Sequence, residues 1–179
     1  LDLIKNLRKE RSKRSIFIFD QQDTNIQKKN HRPRKALYYW MYANSIHLID
    51  YANFLCRGKI KKIDTISRNK KEIHCKIKFS SKDNVNYLCR WNKPGPWQIN
   101  ISTDKSYYEL SPLENLKIRT GNKKNFVEYS KSKNDKVFKP GLKKQVDELT
   151  NIFLNKRSNL PELKDLKLTM SLIHKIYGR

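Results

Sequence analysis

Two stretches decide the fold: Ile73-His74-Cys75-Lys76-Ile77-Lys78-Phe79 and Val85-Asn86-Tyr87-Leu88-Cys89-Arg90-Trp91. In each, apolar and polar residues alternate, the period of a strand with one buried and one wetted face. Trp97, Ile99 and Ile101 repeat the pattern against Gln98, Asn100 and Ser102. The connectors are rich in turn formers: Ser80–Asn84, Asn92-Lys93-Pro94-Gly95-Pro96 and Ser102–Lys105. Further strands are expected near Gly58–Ile66, Tyr107–Leu110 and Leu116–Arg119. Five or six short antiparallel strands in one small sheet would leave an apolar face in water. They are therefore expected to curl into a small antiparallel β-barrel over about 57–119.

On the N-terminal side the period changes. Leu37, Met41, Leu48, Ala52 and Leu55 fall on one stripe of a helix over 36–56, with Pro33 just before it and Gly58 just after. Upstream, residues 1–35 carry two basic clusters around the apolar patch Ile16–Phe19 and read as a basic extended arm with one anchoring strand at Ser15–Phe19. Residues 120–140 read as a basic loop. Beyond Pro140-Gly141, Leu142, Val146, Leu149 and Phe153 mark one amphipathic helix. Leu163, Leu166, Met170, Ile173 and Tyr177 mark a second, the two forming a helical hairpin over 141–179. The expected architecture is α+β: arm, helix, barrel, loop and C-terminal helical hairpin.

Charge dominates the composition. Forty Lys and Arg against 17 Asp and Glu give +23 over 179 residues, with 37% hydrophobic content. A small domain stays soluble with a net charge of a few units, so this excess points to a polyanionic partner. Only the 36–56 helix is spared, at net −1. It is assigned to contact neighbouring proteins of an assembly. The expected function is a nucleic-acid-binding structural subunit of a ribonucleoprotein of the ribosomal kind, RNA favoured over DNA, with a structural role favoured over catalysis. Phosphate contacts fall to Arg8, Arg11, Arg14, Arg32 and Arg34 of the arm and to Lys76, Lys78 and Arg90 of the sheet. Lys59, Lys61, Lys62 and Lys93 at strand ends and turns, with Lys123 and Lys124 of the loop, complete the set. The aromatic residues Tyr38-Tyr39-Trp40, Tyr107-Tyr108, Trp91 and Trp97 offer stacking faces, although both latter tryptophans also follow the apolar alternation.

The rival class is an enzyme acting on nucleic acid, a small nuclease or toxin ribonuclease built on Asp64, Glu72 and His74, with Lys76, Lys78 or Arg90 as the cation. A DNA-binding module of a mobile element is the third reading. No cofactor or metal is expected. The sequence holds no glycine-rich phosphate loop, nucleophile elbow or calcium loop, and Cys75 and Cys89 lack the paired spacing of a zinc site. Three widely spaced cysteines argue for a reducing compartment, cytoplasmic or organellar (mitochondrial). Residue usage rich in Lys, Ile and Asn and poor in Ala fits an AT-rich genome. Leu1 in place of Met suggests a processed or trimmed product. No apolar run is long enough to span a membrane.

Overall fold

The computed structural model describes residues 7, 9–22, 33–69, 71–91, 93–129 and 133–178. Eight strands form one open mixed sheet in the order β2-β3-β4-β1-β5-β6-β7-β8. They are β1 Ser15–Gln22, β2 Ile60–Arg68, β3 Glu72–Phe79, β4 Asn84–Trp91, β5 Trp97–Ser102, β6 Ser106–Leu110, β7 Leu116–Thr120 and β8 Val127–Glu128. Among the described residues five α-helices accompany them: α1 Arg34–Tyr38, α2 Ile46–Leu55, α3 Lys133–Val137, α4 Leu142–Phe153 and α5 Leu163–Tyr177.

The expected barrel is therefore corrected. β2 and β8 are the two edges and do not pair with each other. A different cover hides the apolar face that closure was meant to bury. From α2, Leu48, Ile49, Ala52 and Leu55 press onto the sheet, and from α5, Thr169, Leu172, Ile173 and Ile176 join them in the same core. A sheet with helices on one face needs no closure.

β1 is also not the anchor of an arm. It is the central strand, parallel to β4 and antiparallel to β5, and Ile16 and Ile18 are 0% and 1% exposed. Residues 23–32 lie outside the described ones. Inserting β1 between β4 and β5 turns two hairpin runs, β2-β3-β4 and β5-β6-β7-β8, into one sheet.

The 36–56 helix is interrupted. Between α1 and α2 a π-helical turn over Met41–Ser45 widens the spiral. The apolar stripe of α2 covers the chain's own sheet rather than a neighbouring protein, which corrects its assignment to an assembly contact. The C-terminal hairpin fails for a related reason. The inner stripe of α5 is consumed by the core, so α4 has no apolar partner there, and Leu142, Val146, Leu149 and Phe153 stand 47–78% exposed. Among the described residues no helix is long and apolar enough to cross a membrane.

Candidate functional site

At the carboxyl end of β1 the sheet carries a buried acid. Asp20 alternates onto the helix-covered face with Ile16 and Ile18 and is 0% exposed. Its register partners are Cys89 on β4 and Trp97 on β5, and two residues on, Gln22 sits beside Trp91. Residues directly opposite one another project to the same face, so these side chains converge. A buried carboxylate must be hydrogen-bonded, and Asp20 is: Tyr87 Oη–H donates to Oδ2 at 2.7 Å and Gln22 Nε2 to Oδ1 at 2.8 Å. Trp40 Nε1–H in turn donates to Gln22 Oε1.

The cluster extends outward through two phenols. The Tyr87 and Tyr177 hydroxyls are 3.2 Å apart. With the one Tyr87 proton committed to Asp20, Tyr177 is the donor in that contact, or donates instead to Cys89 Sγ at 3.7 Å. Burial pushes both phenols well above the ordinary tyrosine range; Asp20 raises Tyr87 further, and Cys89 and Asp20 do the same for Tyr177. Both therefore stay protonated near neutrality and act as hydrogen-bond donors. The Cys89 thiol is pushed up by burial and stays protonated. The π-helical turn delivers Ser45, 0% exposed, beside Tyr177, and the Trp91 ring lies 6.2 Å from the Tyr177 ring.

All three tryptophans of the chain (Trp40, Trp91 and Trp97) thus wall a single polar cluster. Trp91, Trp97, Gln22 and Tyr177 are half-exposed at its rim. The Trp97 Nε1–H is buried with no acceptor among the described residues. The cluster thus sets fixed donors and acceptors beside aromatic rings at the carboxyl end of β1. The sequence pointed to Trp91 and Trp97 through their place beside the turn. It hid Asp20, which looks like a stray counter-charge in a basic segment.

The expected phosphate-binding residues meet different fates. Arg8 and Arg32 lie outside the described residues. Arg14 is 6% exposed, its guanidinium donating to the carbonyls of Leu55 and Leu7 at 2.6 Å each. Arg90 pairs with Glu72 at 2.8 Å. Two arginines that the sequence did not single out do the same kind of work. Arg57 grips Asp83 and the carbonyls of Arg11 and Ser12, while Arg68 caps α5 through the carbonyls of Ile176 and Lys175. Much of the arginine charge is thus spent inside the fold. Arg11, Arg34, Lys59, Lys93, Lys123 and Lys124 are exposed and scattered, whereas Lys61, Lys62, Lys76 and Lys78 gather around one recess.

The nuclease constellation dissolves likewise. Glu72 is drawn below the ordinary carboxylate range by the Ser67 hydroxyl and Arg90, and Asp64 by Lys62 and Lys78. Each carboxylate is neutralised in place rather than aimed at a shared metal. Among the described residues no group of three or more His, Cys, Asp or Glu is placed to hold a metal ion.

No protein-family model and no curated protein matches the sequence. Solved structures do match the fold. UDP-N-acetylglucosamine 3-dehydrogenase GnnA from Acidithiobacillus ferrooxidans aligns over 98% of this chain and 56% of its own, with a TM-score of 0.72 at 11% identity. At this identity the likeness is one of fold, to part of that longer chain. Aldose-aldose oxidoreductase from Caulobacter crescentus, complexed with glycerol, gives 0.68 at 15% identity, over 98% of this chain and 58% of its own. The super-repressor mutant of Gal80p from Saccharomyces cerevisiae gives 0.67 at 12%, over 93% and 55%. The chain thus spans somewhat more than half the length of these structures.

These likenesses overturn the ribosomal, RNA-binding and nucleic-acid-partner expectations, together with the nuclease and DNA-module alternatives. The matched structures are oxidoreductases and Gal80p, and the fold uses for its own ties several of the cations those expectations relied on. The described chain offers no glycine-rich turn of the kind that cradles a dinucleotide. A dinucleotide cradle needs glycines clustered within one turn. The five glycines here, at 58, 95, 121, 141 and 178, are isolated from one another.

Proposed function

We propose that this chain is the substrate-side part of a dehydrogenase-type protein, binding a small polyhydroxylated ligand at the Asp20 cluster while any nucleotide is held by another part of the assembly. The observation that carries this reading is the Tyr177–Tyr87–Asp20 chain of hydroxyls and carboxylate inside a wall made of every tryptophan in the molecule. The dehydrogenases of like fold support it, since GnnA is named for a nucleotide sugar and the Caulobacter enzyme for aldoses. The bare stripe of α4 (Leu142, Val146, Leu149 and Phe153) supports it further, because an exposed apolar stripe on a highly charged protein marks a surface that something covers. Buried free thiols at Cys56, Cys75 and Cys89 fit a reducing compartment.

The tryptophan placement supplies the test. Tryptophan fluorescence, excited at about 295 nm to leave the nine tyrosines dark, arises wholly from residues of the cluster. Titration with UDP-N-acetylglucosamine, free aldoses and glycerol is expected to give a saturable change with at least one of them. The change is expected to be lost in Asp20→Asn and reduced in Tyr177→Phe, and reduced nicotinamide dinucleotide alone is expected to give none. A flat response to every sugar, or saturable quenching by the dinucleotide alone, overturns the reading.

A further inference from the structure

On the other face of the sheet and at the opposite end, six lysines close around a recess of about 480 Å³: Lys13, Lys61, Lys62, Lys76, Lys78 and Lys82. Three features of the backbone put them there. Lys76 and Lys78 alternate onto the uncovered face of β3, opposite the buried Cys75 and Ile77. On edge strand β2 the pairing slips between Ile60 and Lys62, so that Lys62, not Lys61, lies opposite Lys78. Such a bulge re-aims consecutive side chains, and here Lys61 and Lys62 both line the recess. Lys82 occupies the β3–β4 turn at φ +71°, a conformation that glycine adopts freely and a lysine adopts under strain.

The charge is not answered by the protein. Among the described residues the Asp64 carboxylate, shared between Lys62 at 2.7 Å and Lys78 at 3.1 Å, is the acid that pairs with these lysines. Asp83 also borders the recess, but its side chain is 0% exposed and turned onto Arg57. Lys13, Lys61, Lys76 and Lys82 have no ion-pair partner among the described residues. Adjacent strands lie about 5 Å apart and alternate residues about 7 Å apart along a strand. These spacings fall within the Debye length of about 8 Å at physiological salt. The ammoniums therefore repel one another as a single unit, and that repulsion is relieved by one compact anion of several charges.

We propose that this recess is a binding site for an oligophosphate, a compact anion bearing three or more negative charges, either inorganic or the phosphate tail of a nucleotide. The ammonium of lysine is a point-charge phosphate ligand, and an open recess of about 480 Å³ admits a small anion from solvent. The site is separate from the Asp20 cluster and stands or falls independently of it.

Isothermal titration of the full chain at physiological salt, with inorganic tripolyphosphate, ATP and orthophosphate, tests it. The expected result is one site, with tripolyphosphate or ATP binding at least tenfold tighter than orthophosphate. The tighter of the two identifies an inorganic or a nucleotide ligand. Lys76→Gln/Lys78→Gln is expected to weaken binding at least tenfold, and Lys123→Gln/Lys124→Gln, remote from the recess, to leave it within twofold. Lys82→Gly separates binding from folding: melting temperature is expected to hold or rise as the turn relaxes, while affinity falls. Equal losses in the remote pair, a stoichiometry well above one, unchanged affinity in Lys82→Gly, or displacement by a single-stranded oligonucleotide at equal phosphate concentration overturns the proposal.

Discussion

The two faces of β1 live in different solvents. Ile16, Ile18 and Asp20 point under the helices and are sealed, whereas Phe17, one residue away, is 43% exposed on the open face. The same division runs across β3 and β4. Ile73, Cys75 and Ile77 and Val85, Tyr87 and Cys89 are buried, and His74, Lys76, Asn86, Leu88 and Arg90 are half-exposed. One face thus holds the core and, at its carboxyl end, a carboxylate that only hydrogen bonds make tolerable. The other holds the charge. In a sheet of this kind, period-two alternation sorts the chemistry as well as the packing.

The largest effect is expected from Ile18→Ala, which opens a cavity in the middle of the sheet and costs about 3 kcal/mol in urea denaturation. Phe17→Ala, on the opposite side of the same strand, is expected to cost under about 1 kcal/mol. Equal losses at the two positions would erase the distinction between the faces. Asp83→Asn comes next, at about 2–3 kcal/mol, because the site loses its negative charge and one of the two oxygens that accept from Arg57 and the backbone N–H groups of Arg14 and Arg57.

Acid sharpens the same point. Burial alone would raise the Asp83 pKa, but Arg57, the two backbone donors and Ser81 bring it from 3.8 to about 2. The ionised form is the stabilising one. Its contribution, about 2 kcal/mol, is complete above pH 4 and disappears as the pH falls from about 4 through 2. A urea series across that range is expected to show this slope in the native protein and its loss in Asp83→Asn. A smaller effect than at Asp83 is expected from Tyr177→Phe, about 1 kcal/mol, since Tyr87 keeps its bond to Asp20.

Local pattern made most of the strands legible. Alternation located β3, β4 and β5, and turn residues located their connections, because both signals are written within a few residues. What decided the architecture was not local. The parallel pairing of β1 with β4 joins Ser15 to Asn84, and nothing in Ser15–Phe19 distinguishes a central strand from an isolated one. Whether β2 and β8 meet is likewise a property of twist and cover, which the α2 and α5 stripes settled. Lysines and arginines looked alike as charge, yet the fold put Arg14, Arg57, Arg68 and Arg90 onto carbonyls and carboxylates and left lysines to gather at one end. A planar fork with several donors fits a carbonyl cage; a flexible ammonium fits a solvated rim. Asp20 became meaningful only when Tyr87, distant in sequence, came to lie against it.

Amide hydrogen exchange across residues 15–22, followed by NMR in the ligand-free protein, tests the placement of β1 most directly. The Ile16, Ile18 and Asp20 amides are expected to exchange only through global unfolding, as slowly as those of Val85 and Tyr87, while Val127 on the edge exchanges far faster. Rapid exchange throughout 15–22, at the rate of an unstructured chain, would contradict the open sheet centred on β1 and everything built on its carboxyl end.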